Sequence, residues 1–146
     1  STTITNLLRK NQSLMDGINK LSKKKPILGS CAGLILMSKE SNDSRVHNFA
    51  FLDVITSRNA YGRQVHSFEA KINVTDGSIS SDIDVLFIRA PKIDKINNDV
   101  EVLATFQEEV VAVKQGIHIG ISCHPELLNE TLIHEICFKG KYEISR

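Results

Sequence analysis

The stretch Pro26-Ile27-Leu28-Gly29-Ser30-Cys31-Ala32-Gly33-Leu34 constrains this chain more than any other. It reads as a short buried strand, a sharp turn carrying one cysteine, and the start of a helix. The spacing Gly-x-Cys-x-Gly is that of a nucleophile elbow with cysteine in the nucleophile's place. Small neighbours let the backbone bend tightly there and let a substrate approach. A helix beginning at the turn directs its amide groups and positive dipole end at the sulfur, which favours thiolate. The same five residues, Gly29 to Gly33, also fit a buried cysteine in a glycine-rich turn. The rest of the chain has to decide between the two.

A chain of 146 residues, 41% hydrophobic and 24% charged, is the size and composition of one soluble domain. A formal net charge of +1 provides no field that would steer it to nucleic acid or a membrane surface. No apolar run approaches the ~20 residues that cross a bilayer. Cys31, Cys123 and Cys137 are odd in number and lack metal-site spacing, so free thiols in a reducing, cytoplasmic compartment are expected, and no metal. His47, His66, His118 and His134 likewise lack ligand spacing and are expected in surface or packing roles.

Ser1-Thr2-Thr3 has the chemistry of a helix cap. Ile4, Leu7, Leu8, Leu14, Met15, Ile18 and Leu21 recur at helical spacing, which predicts one amphipathic helix from residue 2 to about 22, closed by Lys23-Lys24-Lys25. Ile27-Leu28 is a short strand, Ala32 to Lys39 a helix, and 40–48 a polar loop. Phe49 to Thr56 is strand-like, and Arg58 to Gln64 reads as a second polar loop. Phe68, Ala70, Ile72 and Val74 alternate with polar residues, as in a half-exposed strand. Asp76-Gly77 is a turn and Val85 to Ile88 an apolar strand. Val100 to Phe106 is another strand. Val110 to Lys114 and Ile117 to Ser122 form a hairpin across Gln115-Gly116. Glu130 to about Lys139 closes the chain as a helix. The expected class is α/β, a mixed sheet with a parallel part and an antiparallel part from the later strands.

A nucleophilic cysteine needs a base, and the base an orienting group. His124-Pro125-Glu126 provides both types. In an extended segment, residues two apart point the same way. Pro125 pushes His124 towards that conformation. The pair follows an apolar strand, so it can emerge at a sheet edge, as Cys31 does. Cys31, His124 and Glu126 therefore have the types and order of roles of a triad. A loop histidine beside a surface glutamate remains the plain alternative.

Gly29-Ser30-Cys31-Ala32-Gly33 and His124-Pro125-Glu126 resemble the two catalytic signatures of class I, triad-type glutamine amidotransferases. Three further stretches resemble, more narrowly, the glutaminase subunit of pyridoxal 5′-phosphate synthase. They are Cys31 to Leu36, Arg58 to Glu69, and Phe87-Ile88-Arg89-Ala90-Pro91. The resemblance covers nearly the whole chain. It implies a flavodoxin-like mixed sheet flanked by helices, and hydrolysis of L-glutamine to glutamate and ammonia through a cysteine thioester. It implies no cofactor, and as partner a synthase subunit that uses the ammonia in vitamin B6 synthesis. It further implies that Cys31, His124 and Glu126 are catalytic, that the Ala32 N–H is an oxyanion donor, and that Ser1, Arg58, Ile88 and Arg89 contact glutamine. Cys123 is then a small buried residue rather than a second nucleophile, and Cys137 part of the core.

The family carries a Pro-Gly-Gly-Glu-Ser-Thr-Thr motif about thirty residues before the nucleophile, and here Ser1-Thr2-Thr3 stands thirty positions before Cys31. The resemblance thus implies a first strand, a first helix and a Gly-Gly oxyanion turn upstream of Ser1, so that the 146 residues are one glutaminase domain without its N-terminal segment. Two other readings stay open: a glutaminase serving a different synthase, and a non-catalytic module that docks on one.

Overall fold

The computed structural model describes residues 1–58 and 67–139. The expected loop at Arg58 to Gln64 falls outside the described residues beyond Arg58, as does His66. The elements in order are α1 (Thr2–Arg9), α2 (Gln12–Ser22), β1 (Leu28–Ser30), α3 (Ala32–Met37), β2 (Ser38–Ser41), β3 (Leu52–Ser57), β4 (Phe68–Asp76), β5 (Ile79–Phe87), β6 (Lys92–Ile96), β7 (Glu101–Phe106), β8 (Glu109–Gln115), β9 (His118–Ile121) and α4 (Leu132–Lys139). A single 3₁₀ turn, Glu126–Leu128, lies between β9 and α4.

Nine strands form two sheets among the described residues. The larger runs β1-β9-β8-β7-β4-β5 and the smaller β2-β3-β6. β1 is parallel to β9, and every other pair in the larger sheet is antiparallel. β2 is parallel to β3, and β6 antiparallel to it. The α/β class with a mixed sheet is therefore as expected. On one side, Ile72, Val74, Val85, Ile119 and Ile121 pack with Ile133 and Ile136 of α4. A second core joins Leu34 and Met37 of α3 to Leu52 and Val54 of β3, Ile93 of β6 and Val113 of β8. β1 is thus the edge strand of the larger sheet, and the α3 that follows it packs between that sheet and the smaller one.

Several boundaries differ from the sequence expectation. The single helix over 2–22 is two, because Asn11 leaves helical geometry and its side-chain oxygen accepts the Leu14 N–H at 3.0 Å as the cap of α2. Ile4, Leu7, Leu14 and Leu21 are exposed, while Leu8 is buried. α3 ends at Met37 rather than Lys39. Ser38 turns extended, and its buried hydroxyl donates to the Ile35 carbonyl at 2.6 Å and meets the Thr56 hydroxyl at 3.0 Å. Strand β2 starts at this residue, so the loop begins only after Ser41. β5 starts at Ile79, well before Val85, and β6 has no counterpart in the sequence expectation. The β8–β9 hairpin turns at Gly116-Ile117, since Gln115 pairs with His118 and Gly116 takes φ +61°.

Candidate active site

Cys31 stands at the junction of β1 and α3 with φ 54° and ψ −107°. A non-glycine residue in the positive-φ region is strained and persists only where its surroundings over-determine it. Here the Cys31 N–H donates to the Ile121 carbonyl at 2.9 Å, extending the β1–β9 pairing into the turn. The Cys31 carbonyl accepts the Ile35 N–H at 3.3 Å, starting α3. Gly29 permits the close return of the chain. A Cβ on it would stand 2.7 Å from the carbonyl carbon and oxygen of Gly33. The elbow expected from Gly-x-Cys-x-Gly is therefore formed.

His124 follows β9 through Ser122 and Cys123. Its N–H donates to the Leu86 carbonyl at 2.7 Å and its carbonyl accepts the Leu86 N–H at 3.2 Å, fixing the residue against the end of β5. Its Nδ1 lies 2.8 Å from Glu126 Oε2 at the start of the 3₁₀ turn. A carboxylate accepts only, so Nδ1 is the donor in this hydrogen bond.

A cavity of about 300 Å³ gathers the site. Ser1, Cys31, Ala32, Arg58, Ile88, Arg89 and His124, together with Ile35 and Pro91, line it. Of the eight site residues expected from sequence, all but Glu126 meet at this cavity; Glu126 backs His124 from outside it. Arg89 itself has φ 46°, a second strained position on the same wall. Ser1 occupies the cap position of α1, but its side chain makes no cap hydrogen bond, contrary to the capping expectation. Its buried hydroxyl has no partner among the described residues.

The thiol of Cys31 lies 3.8 Å from the Ile88 carbonyl, which accepts its hydrogen bond. Burial raises its pKa, opposed by the Ala32 N–H and by the Arg58 charge. The helix-end effect anticipated from sequence is present but smaller than desolvation, which favours the neutral thiol. Cys123 is fully buried and pushed up to about 12, and buried Cys137 to about 11. Thiols held so far from ionisation are inert, in keeping with the packing roles expected.

Two residues at the site carried no sequence signal. Asn42 and Asp43 contact Arg58 from the loop after β2, Asn42 on its backbone and Asp43 on its guanidinium. A polar loop such as 40–48 offers no periodicity that would mark them. Among the described residues, no group of three or more His, Cys, Asp or Glu side chains is arranged to hold a metal, and no helix is long and apolar enough to cross a membrane.

The profile of the SNO glutamine amidotransferase family matches residues 1–140. The chain is 41% identical over 143 residues to the pyridoxal 5′-phosphate synthase subunit PdxT of Haloarcula marismortui, covering 98% of this chain and 72% of that protein. It is 41% identical over 139 residues to the subunit of the same name from Oenococcus oeni, covering 95% of this chain and 71% of that one. A solved crystal structure of a glutamine amidotransferase superposes with a TM-score of 0.79 at 34% identity, covering 93% of this chain and 71% of that chain.

Proposed function

We propose the function from one premise, that the chain belongs to the SNO glutamine amidotransferase family: it is the glutaminase component of a pyridoxal 5′-phosphate synthase. It hydrolyses L-glutamine to L-glutamate and ammonia. A glutaminase serving another synthase is not favoured by these relatives. A docking module without catalysis is disfavoured because the Cys31 elbow, His124 and its hydrogen-bonded Glu126 are the groups a hydrolytic triad requires.

The observation that carries the mechanism is the meeting of Cys31, Ala32 and His124 at one cavity. His124 Nε2 takes the thiol proton, and the sulfur attacks the side-chain carboxamide carbon of glutamine. The tetrahedral oxyanion is met by the Ala32 N–H, the first amide of α3. His124 then passes the proton to departing ammonia, leaving a thioester on Cys31. A water deprotonated by His124 hydrolyses it, releasing glutamate and restoring the thiol. Glu126 keeps the imidazole in the required tautomer and stabilises its charged form.

Arg58 and Arg89 supply the cations for the α-carboxylate of glutamine, for which a guanidinium offers a two-pronged hydrogen bond. Ser1 offers a hydroxyl, and Ile88 shapes the wall beside the sulfur. Ammonia is passed to a synthase subunit held in complex with this one, rather than released to solvent. The three cysteines, all free, suit a reducing cytoplasm.

A glutamine analogue carrying an electrophilic carbon in place of the carboxamide tests the assignment. It should label Cys31 alone, with glutamine protecting, as read by peptide mass mapping. Labelling of Cys123 or Cys137, or labelling that glutamine does not slow, would overturn it.

A further inference from the structure

We infer that Asn42 and Asp43 are positioning residues that hold Arg58 in the geometry needed to bind the substrate carboxylate. This rests on the reading of Arg58 as a glutamine contact.

The parallel strands β2 and β3 end side by side, with Ser41 opposite Thr56. Beyond them the ladder continues for one more step without being a strand. The Asn42 N–H donates to the Thr56 carbonyl at 3.2 Å. Its side-chain oxygen accepts the Arg58 N–H at 2.9 Å, and its side-chain NH₂ donates to the Arg58 carbonyl at 3.4 Å. One asparagine amide thus replaces the missing strand partner on both sides of Arg58. This fixes the backbone from which the arginine side chain leaves.

Asp43 fixes the other end of the same side chain. Its Oδ2 accepts from Arg58 Nη1 at 3.4 Å. The carboxylate is itself immobilised by Arg45: Oδ1 accepts the Arg45 N–H at 3.0 Å and Nε at 2.9 Å, and Oδ2 accepts Nη2 at 2.8 Å. Arg45 is 75% exposed at its side chain, Arg58 33% and Asp43 15%. Arg45 therefore serves as the outer brace, while Arg58 faces the cavity. Two guanidiniums against one carboxylate leave one net positive charge at this edge. The pairing orients Arg58 without cancelling the charge a substrate carboxylate requires. A guanidinium held at one nitrogen still has donors free for a second carboxylate.

The role predicts a defect in binding glutamine and little in chemistry. Steady-state glutamine hydrolysis would be measured in the complex with the synthase subunit. Asp43→Asn, which preserves shape, should raise KM about tenfold with kcat within about twofold, and Arg58→Ala should raise KM about 100-fold. Asp43→Glu should recover part of the loss. The double variant Asp43→Asn/Arg58→Ala should be no worse than Arg58→Ala, because Asp43 acts through the arginine. Asn42→Ala should repeat the Asp43→Asn pattern. An unchanged KM in Asp43→Asn, or a further tenfold rise on top of Arg58→Ala, would overturn the inference. If Arg58→Ala leaves KM unchanged, the reading of Arg58 itself fails. If Arg58→Ala raises KM and Asp43→Asn does not, only the positioning role fails.

Discussion

His124 Nδ1 and Glu126 Oε2 stand 2.8 Å apart, two residues from each other in sequence, with Glu126 at the head of a 3₁₀ turn and His124 bridged to Leu86. The imidazole is thus oriented from two sides: its backbone by the β5 edge, its ring by the carboxylate. Neither interaction involves Cys31, so His124 is oriented independently of the cysteine.

Glu126→Gln should therefore leave the fold and glutamine KM nearly unchanged and lower kcat by up to about 10⁴-fold, the loss seen when a triad carboxylate loses its charge. Glutamate release under saturating glutamine measures it. A kcat within threefold of the parent would remove Glu126 from the mechanism.

The pH dependence of alkylation follows from the burial of Cys31. Its pKa is raised, so the thiolate fraction of the chain without substrate keeps growing above the ordinary thiol value of about 8.5. The rate of iodoacetamide modification at Cys31, followed by peptide mass, should have its midpoint above that pH. Cys123 and Cys137 should stay unmodified across the range. A plateau reached below pH 7 would show a pre-formed thiolate instead.

Gly29→Ala tests the tight return of the chain. The new methyl would sit 2.7 Å from the backbone of Gly33, which cannot retreat without opening the elbow. A cost of about 1–3 kcal/mol is expected, and a Tm lowered on the order of 5–10 °C. Calorimetry reads it; an unaltered Tm would mean that the backbone around Cys31 is not fixed as described.

His118 links the chain before the elbow to β9. Its Nδ1 accepts the Ile27 N–H at 3.1 Å, and its Nε2 lies 2.9 Å from the Ser22 carbonyl, to which it donates. Burial lowers its pKa, and a proton on Nδ1 would abolish the bond to Ile27. A folded-state pKa below the unfolded value means stability that is complete above about pH 6.5 and declines as pH falls towards the folded-state value. Denaturant midpoints between pH 7.5 and 5 should fall more steeply in the parent than in His118→Gln. Equal slopes would contradict the assignment.

How much of the fold and site is readable in the chain depends on whether the signal is local. Gly29 to Gly33 and His124 to Glu126 are short motifs whose chemistry is set by adjacent residues. The first forms the elbow its spacing implies; in the second, His124 and Glu126 do pair, but across an αR Pro125 at the head of a 3₁₀ turn rather than along the extended segment expected. The strand over Phe68 to Val74 is legible because one face is buried and the other wet. The break at Asn11 is not, because the apolar residues keep helical spacing across it. The same holds for β2, whose Ser-Lys-Glu-Ser sequence has no strand character of its own. It is extended because Ser38 bonds Thr56 and its backbone pairs with β3, contacts supplied from outside the segment. Asn42 and Asp43 are hidden for a related reason, since their partner Arg58 is brought to them only by the pairing of β2 with β3.

On the proposed mechanism, Cys31 is the nucleophile of a glutaminase. Glutamate and ammonia formed from glutamine by the parent and by Cys31→Ser, each in complex with the synthase subunit, test it most directly. Steady turnover is expected in the parent and none above background in Cys31→Ser, with the complex still formed. Turnover in Cys31→Ser at the parent's rate would contradict it.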